Sequence, residues 1–121
     1  MTSEQMEIWH NPRCSKSRAA KQALDDAGIS YTERRYLEDA PSAAELRTML
    51  DRLGLEPWDI TRTGEDVAKE LGIAGWPRTT EDRERWIEAL AQHPKLIQRP
   101  IVANSSGAVV ARDEQSLRSM L

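Results

Sequence analysis

The opening third of the chain constrains its fold more than any other part. Glu7-Ile8-Trp9 reads as a short buried strand, closed by the turn signal Asn11-Pro12. From Ser15 to Ala27 the apolar residues Ala19, Ala20, Ala23, Leu24 and Ala27 recur at helical spacing, and Gly28 stands where a helix would end. The stretch "SYTERRYL", Ser30 to Leu37, then alternates as a second strand. A strand, a helix and a strand in that order form a βαβ unit, so the two strands are expected to be parallel.

The middle of the chain has a different character. Ser42 and Glu45 have capping-box spacing, and Leu46, Met49, Leu50 and Leu53 form an apolar stripe that runs to Gly54. Trp58 to Thr63 reads as irregular or as a single turn, and Glu65 to Leu71 as a short helix stopped by Gly72. Thr80 is expected to cap a further helix with Trp86, Ile87, Leu90 and Ala91 facing inward, ending near His93-Pro94. Ile101–Ala103 and Ala108–Val110 flank the turn signal "NSSG" and predict a β-hairpin. Asp113 could then cap a terminal helix carrying Leu117, Met120 and Leu121. Without its helical middle, the order is βαβ-ββα, the arrangement of the thioredoxin fold. The expectation is an α/β protein with three layers and a four-stranded mixed sheet. An all-helical insertion, about residues 38–98, would lie between the second and third strands of one domain, 1–121.

A chain of 121 residues is long enough for one real core without staples. A formal net charge of -3 argues against general nucleic-acid binding, which needs a basic face to neutralise phosphates. No stretch approaches the roughly 20 apolar residues of a membrane span, and the polar start "MTSEQM" lacks the pattern of a secretory signal. With a single cysteine no internal disulfide can form, and a reducing cytoplasm fits best.

That cysteine, Cys14, is the chemical focus. Placed just before a helix at Ser15, it meets unsatisfied N–H groups and the positive end of the helix dipole, with Arg13, Lys16 and Arg18 adding charge. Such settings favour the thiolate and can lower a cysteine pKa from about 8.5 to roughly 3.5–7.5. They also suit an anion. The plainer alternative is a small buried residue with no chemistry. Ser17 occupies the position of a second cysteine in a Cys-x-x-Cys pair, so any disulfide would need an outside thiol. Ala20 stands where a cysteine phosphatase loop would carry arginine. His10, Cys14 and His93 are too scattered to predict a metal site, and none is expected.

The segment "HNPRCSKSR", residues 10–18, resembles the active-site segment of the glutaredoxin-coupled arsenate reductases. The similarity continues through "YLEDAPSAAELRTML", "TRTGEDVAKELGI" and "HPKLIQRPIV" into the last hairpin. The resemblance implies a thioredoxin-like fold with a helical insertion. It also implies a catalytic cysteine, matched by Cys14, and a trio of substrate-binding arginines, matched by Arg62, Arg99 and Arg112. Guanidinium forks suit a tetrahedral oxyanion through paired, charge-assisted hydrogen bonds. As the resemblance has it, Cys14 attacks arsenate to form a covalent adduct, glutathione displaces a second oxygen, and glutaredoxin completes the two-electron reduction to arsenite. No bound cofactor is implied, and the expected state is a monomer. His10, Asn11 and Ser17 would support the cysteine loop, His10 as a hydrogen-bond partner and Ser17 as a donor to the thiolate. Thioredoxin-like folds carry a cis proline, and the resemblance extends that to Pro100.

One departure is local: Ser15-Lys16 follows the cysteine where many family members have Gly-Thr. This keeps thiol chemistry but bears on arsenate turnover. A glutathione-dependent thiol reductase without arsenate activity is therefore a second reading. A third is a regulator resembling the Spx-type proteins that contact RNA polymerase. Against it stand Ser17, which breaks the Cys-x-x-Cys switch often found there, and Arg112, for which those regulators need no counterpart.

Overall fold

In the computed structural model, strand β1 is Met6–Trp9, and its alternation places Met6 and Ile8 on one face. The structure describes residues 6–98, 100–104, 107–111 and 118. These gather into two compact units, one from Met1–Asp39 with Arg99–Leu121 and one from Ala40–Gln98.

In the first unit β1 is followed by helix α1, Ser15–Asp26, and strand β2, Tyr31–Arg34. The strands pair in parallel, from Met6 opposite Tyr31 to Trp9 opposite Arg34. Strands β3, Ile101–Asn104, and β4, Gly107–Val110, form the expected hairpin, and β3 runs antiparallel to β1. The sheet is therefore mixed, in the order β2-β1-β3-β4. Met6 and Ile8 meet Ala20 and Leu24 of α1, with Val102 and Ala111 completing this core.

Two details differ from the sequence reading. β2 stops at Arg34, because β1 offers only four rungs before its own chain turns at Asn11. The rest of the alternating stretch bends instead, with the Glu38 and Asp39 N–H groups donating to the Arg35 carbonyl. On α1 the buried residues are Ser17, Ala20 and Leu24, whereas Ala19 and Ala27 are exposed. At 100° per residue Ala19 points away from the Ala20–Leu24 stripe, so alanine content overstated that face.

The second unit is built from helices α2 (Ala43–Leu53), α3 (Asp66–Leu71) and α4 (Arg83–Gln92), with short 3-10 turns between them. Ser42 and Glu45 form the expected capping box. Gly54 and Gly72 end α2 and α3 in the left-handed region, at φ 68° and 66°, where a side chain would be strained. Leu46, Met49 and Leu50 of α2 and Trp86, Ile87, Ala89 and Leu90 of α4 are buried as these helices pack together. Ala89, not Ala91, lies in the buried stripe. Nor does Thr80 cap α4. Thr79 exchanges hydrogen bonds with Asp82, its hydroxyl donating to Oδ2 at 2.8 Å and accepting the Asp82 N–H at 3.3 Å. The polar box thus sits one residue earlier, and the helix starts at Arg83.

Among the described residues no helix is long and apolar enough to cross a membrane. The terminal helix expected from Asp113, with Leu117, Met120 and Leu121, lies outside the described residues, as does the peptide bond before Pro100.

Leu24 is fully buried in the first core. Leu24→Ala is expected to cost about 2–5 kcal/mol in urea unfolding, and Ser42→Ala about 1 kcal/mol through the lost cap. A loss below about 1 kcal/mol for Leu24→Ala would show that this core relaxes around the gap.

Candidate active site

The junction between β1 and α1 is built from short polar contacts. The His10 N–H donates to the Arg34 carbonyl at 2.7 Å, the hydrogen bond that closes the β1–β2 pairing. Asn11 then turns the chain. Its carbonyl accepts the Cys14 N–H and its Oδ1 accepts the Arg13 N–H, each at 3.0 Å. This Asn-Pro pair uses both the side-chain acceptor of asparagine and the fixed φ of proline to close the turn. From the far side Arg18 reaches back over the loop, its Nη1 donating to the Pro12 carbonyl at 3.0 Å.

Cys14 is the N-cap of α1, with extended backbone angles (φ -95°, ψ 125°), and its side chain makes no capping hydrogen bond. It is half-buried, neither sealed in the core nor fully in solvent. Its carbonyl accepts the Arg18 N–H at 2.9 Å as the first rung of the helix. The amides of Ser15, Lys16 and Ser17 precede that rung, at the end where a helix presents donors and a positive dipole. Arg13, Lys16 and Arg18 are exposed around the same turn.

Ser17 is fully buried and joins the pieces. Its Oγ accepts the Asn11 N–H at 2.9 Å and lies 2.7 Å from Nδ1 of buried His10. Ser17 has one proton to give. When Nδ1 is unprotonated the hydroxyl donates to it, and none remains for Cys14. A donor role toward the sulfur requires the Nδ1–H form, which would donate to Ser17 instead. The structure therefore brings His10, Asn11 and Ser17 together around the Cys14 loop, with His10 and Ser17 as a coupled pair.

Burial holds the His10 pKa below the ordinary 6.5; Glu33 opposes this shift, while Lys21, Arg35 and Arg18 reinforce it. The folded protein thus favours the neutral ring.

Arg62 belongs to the Ala40–Gln98 unit. An antiparallel bridge between Thr61 and Ile97 fixes its backbone, with the Arg62 N–H donating to the Leu96 carbonyl at 2.7 Å and the Gln98 N–H to the Ile60 carbonyl at 2.8 Å. Its Nη1 lies 2.7 Å from Oε2 of Glu65, a partner that sequence reasoning did not name although the i,i+3 spacing was visible. Arg99 and Arg112 lie outside the described residues. Their chain neighbours Pro100 and Ala111 are joined by the Ala111 N–H, which donates to the Pro100 carbonyl at 2.8 Å. Among the described residues no three His, Cys, Asp or Glu side chains are gathered as a metal-binding group.

A mixed sheet entered by a βαβ unit, with a cysteine at the start of the first helix and a helical insertion before the last hairpin, defines a thioredoxin-like protein with a thiol at its helix N-terminus. The family model of the ArsC family matches residues 9–120. The chain belongs to the ArsC family. It is 61% identical over 117 residues to the uncharacterized protein in the glnII region of Streptomyces viridochromogenes, covering 96% of this chain and 98% of that one. It is 36% identical over 118 residues to the arsenate reductase of Neisseria meningitidis serogroup A, covering 97% and 98%. Among solved structures, the arsenate reductase from Vibrio cholerae superposes with a TM-score of 0.89 at 36% identity, covering 99% of this chain and 100% of that one.

The neutral preference of His10 gives a signed pH dependence. Its contribution to stability is present in full above pH 6.5 and is lost as the pH falls below that value, where the unfolded chain takes up the proton first. Urea unfolding between pH 7.5 and 5 should show this loss, and His10→Gln should make the profile flatter. Parallel profiles for the two proteins would remove His10 as the cause.

Proposed function

We propose that this protein reduces arsenate to arsenite by covalent chemistry on Cys14, with glutathione and glutaredoxin supplying the electrons. The observation that carries the reading is the position of Cys14. The only cysteine of the chain is the half-buried N-cap of α1, in a chain whose ArsC match spans it.

In this reading the Cys14 thiolate attacks arsenic(V) and an oxygen leaves as hydroxide, giving a cysteine–arsenate adduct. Glutathione displaces a second oxygen, which leaves as water. A glutaredoxin thiolate then attacks the glutathione sulfur. The As–S bond to glutathione breaks, its electron pair stays on arsenic, and glutaredoxin leaves as a mixed disulfide. Hydrolysis of the Cys14–arsenic(III) bond releases arsenite and restores the thiol. The outside thiols are required because Ser17 stands where a resolving cysteine would be.

Arg62, Arg99 and Arg112 serve as the oxyanion ligands. Their guanidinium forks match paired oxygens and stabilise charge that develops as the oxygen leaves. His10, Asn11 and Ser17 hold the loop that presents the sulfur. The setting is a reducing cytoplasm, which keeps Cys14 as a thiol.

Cys14→Ser is expected to abolish arsenate reduction in a glutathione–glutaredoxin assay while the circular dichroism spectrum stays native. Turnover that persists in that variant would end the proposal. Arg99→Lys should raise the KM for arsenate about tenfold or more, since lysine cannot reproduce the paired contact; an unchanged KM removes Arg99 from the anion site.

A further inference from the structure

Arg62 is the one proposed anion ligand among the described residues, and its positive charge is already partly spoken for. Among the described residues its guanidinium has one carboxylate partner, Oε2 of Glu65 at 2.7 Å from Nη1, with each side chain 29% exposed. Glu65 is placed for this by the local fold. It is the N-cap of α3, yet its side chain makes no capping hydrogen bond and turns back to Arg62 instead. A carboxylate at that position would ordinarily serve the helix, by accepting an N–H of the first turn. Here it serves the guanidinium.

A carboxylate offers the same kind of oxygen that an oxyanion would offer. It also places a negative charge within contact distance of the group meant to attract a dianion. Arg62 is fixed at its backbone by the Thr61–Ile97 bridge, three residues before Glu65 at the entry to α3.

We propose that Glu65 sets the affinity of the anion site, acting as an internal competitor for Arg62. This inference rests on the reading of Arg62 as an oxyanion ligand. Monovalent anions gain too little to displace a tethered carboxylate. A dianionic tetrahedral oxyanion, with two charges and paired oxygens, gains enough to share or take over the guanidinium. The carboxylate then returns to Arg62 when the anion leaves. Glu65 is thus a tuning residue acting through Arg62, not a group that touches the reacting atoms.

The test is calorimetric binding of arsenate to the full chain in the Cys14→Ser background, where no covalent chemistry intervenes. Glu65→Gln should tighten arsenate binding about threefold to fivefold at low salt, the scale of a partly exposed ion pair. High salt should shrink the gain. Glu65→Ala should repeat it, because no helix cap is lost with the side chain. In an Arg62→Gln background the Glu65→Gln change should do nothing, since the competitor then has no target. Three results overturn the proposal. If Arg62→Gln weakens binding but neither Glu65 variant tightens it, Glu65 is only a structural partner of Arg62. If the gain survives Arg62→Gln, Glu65 acts on the anion by another route. If Arg62→Gln leaves arsenate binding unchanged, the reading of Arg62 fails and this inference fails with it.

Discussion

The short polar knot between β1 and α1 is the feature on which the placement of Cys14, and with it the proposed chemistry, depends. Asn11 receives two N–H groups of the loop that follows it, and buried Ser17 receives the Asn11 N–H while meeting His10. Each contact satisfies a polar group that burial would otherwise leave costly, and together they leave one path from strand to helix. On that path Cys14 becomes the N-cap without being swallowed by the core. A sulfur moved one residue later would lie inside the first turn, and one moved earlier would lie in the loop. The electrostatic character of the site is equally local. The chain carries a net negative charge, yet Arg13, Lys16 and Arg18 surround one helix start.

The frame around this knot could be read from residues because local signals and long-range packing agree there. Ser42 with Glu45, and the glycines at 54 and 72, mark helix ends by chemistry that acts within a few residues. The βαβ unit was legible for the same reason. What escaped reading depended on partners. The end of β2 is set by the length of β1, which no pattern within Ser30–Leu37 encodes. The start of α4 turns on whether Thr79 or Thr80 finds Asp82, and both residues look alike in sequence. Leu24 is recognisable as core, but an alanine is equally at home on either face of a helix, so Ala19 misled.

The site divides along the same line. Cys14 and its supporting residues lie within eight positions of one another along the chain, from His10 to Ser17, and their arrangement follows from one turn and one helix start. The arginines are dispersed, and their proposed role came from resemblance, not from any local signal. Arg62 illustrates the gap. Its spacing to Glu65 was visible in the sequence, but only the folded chain shows that the carboxylate faces the guanidinium instead of capping α3. On the proposed reading, anion binding turns on how the Arg62 guanidinium is shared between an external anion and Glu65.

The strand order β2-β1-β3-β4 has a consequence for how the molecule comes together. The central strand, β1, finds its parallel neighbour soon after it is made, but its antiparallel neighbour β3 is made only after the helices of the second unit. The helices of Ala40–Gln98 draw on nearby contacts and need not wait for it. Closing the sheet is then the slow, distant event, though the added loop entropy grows only logarithmically with the length inserted. Until that closure, one flank of β1 is an open edge with its backbone groups exposed, and the nascent chain is at its most adhesive.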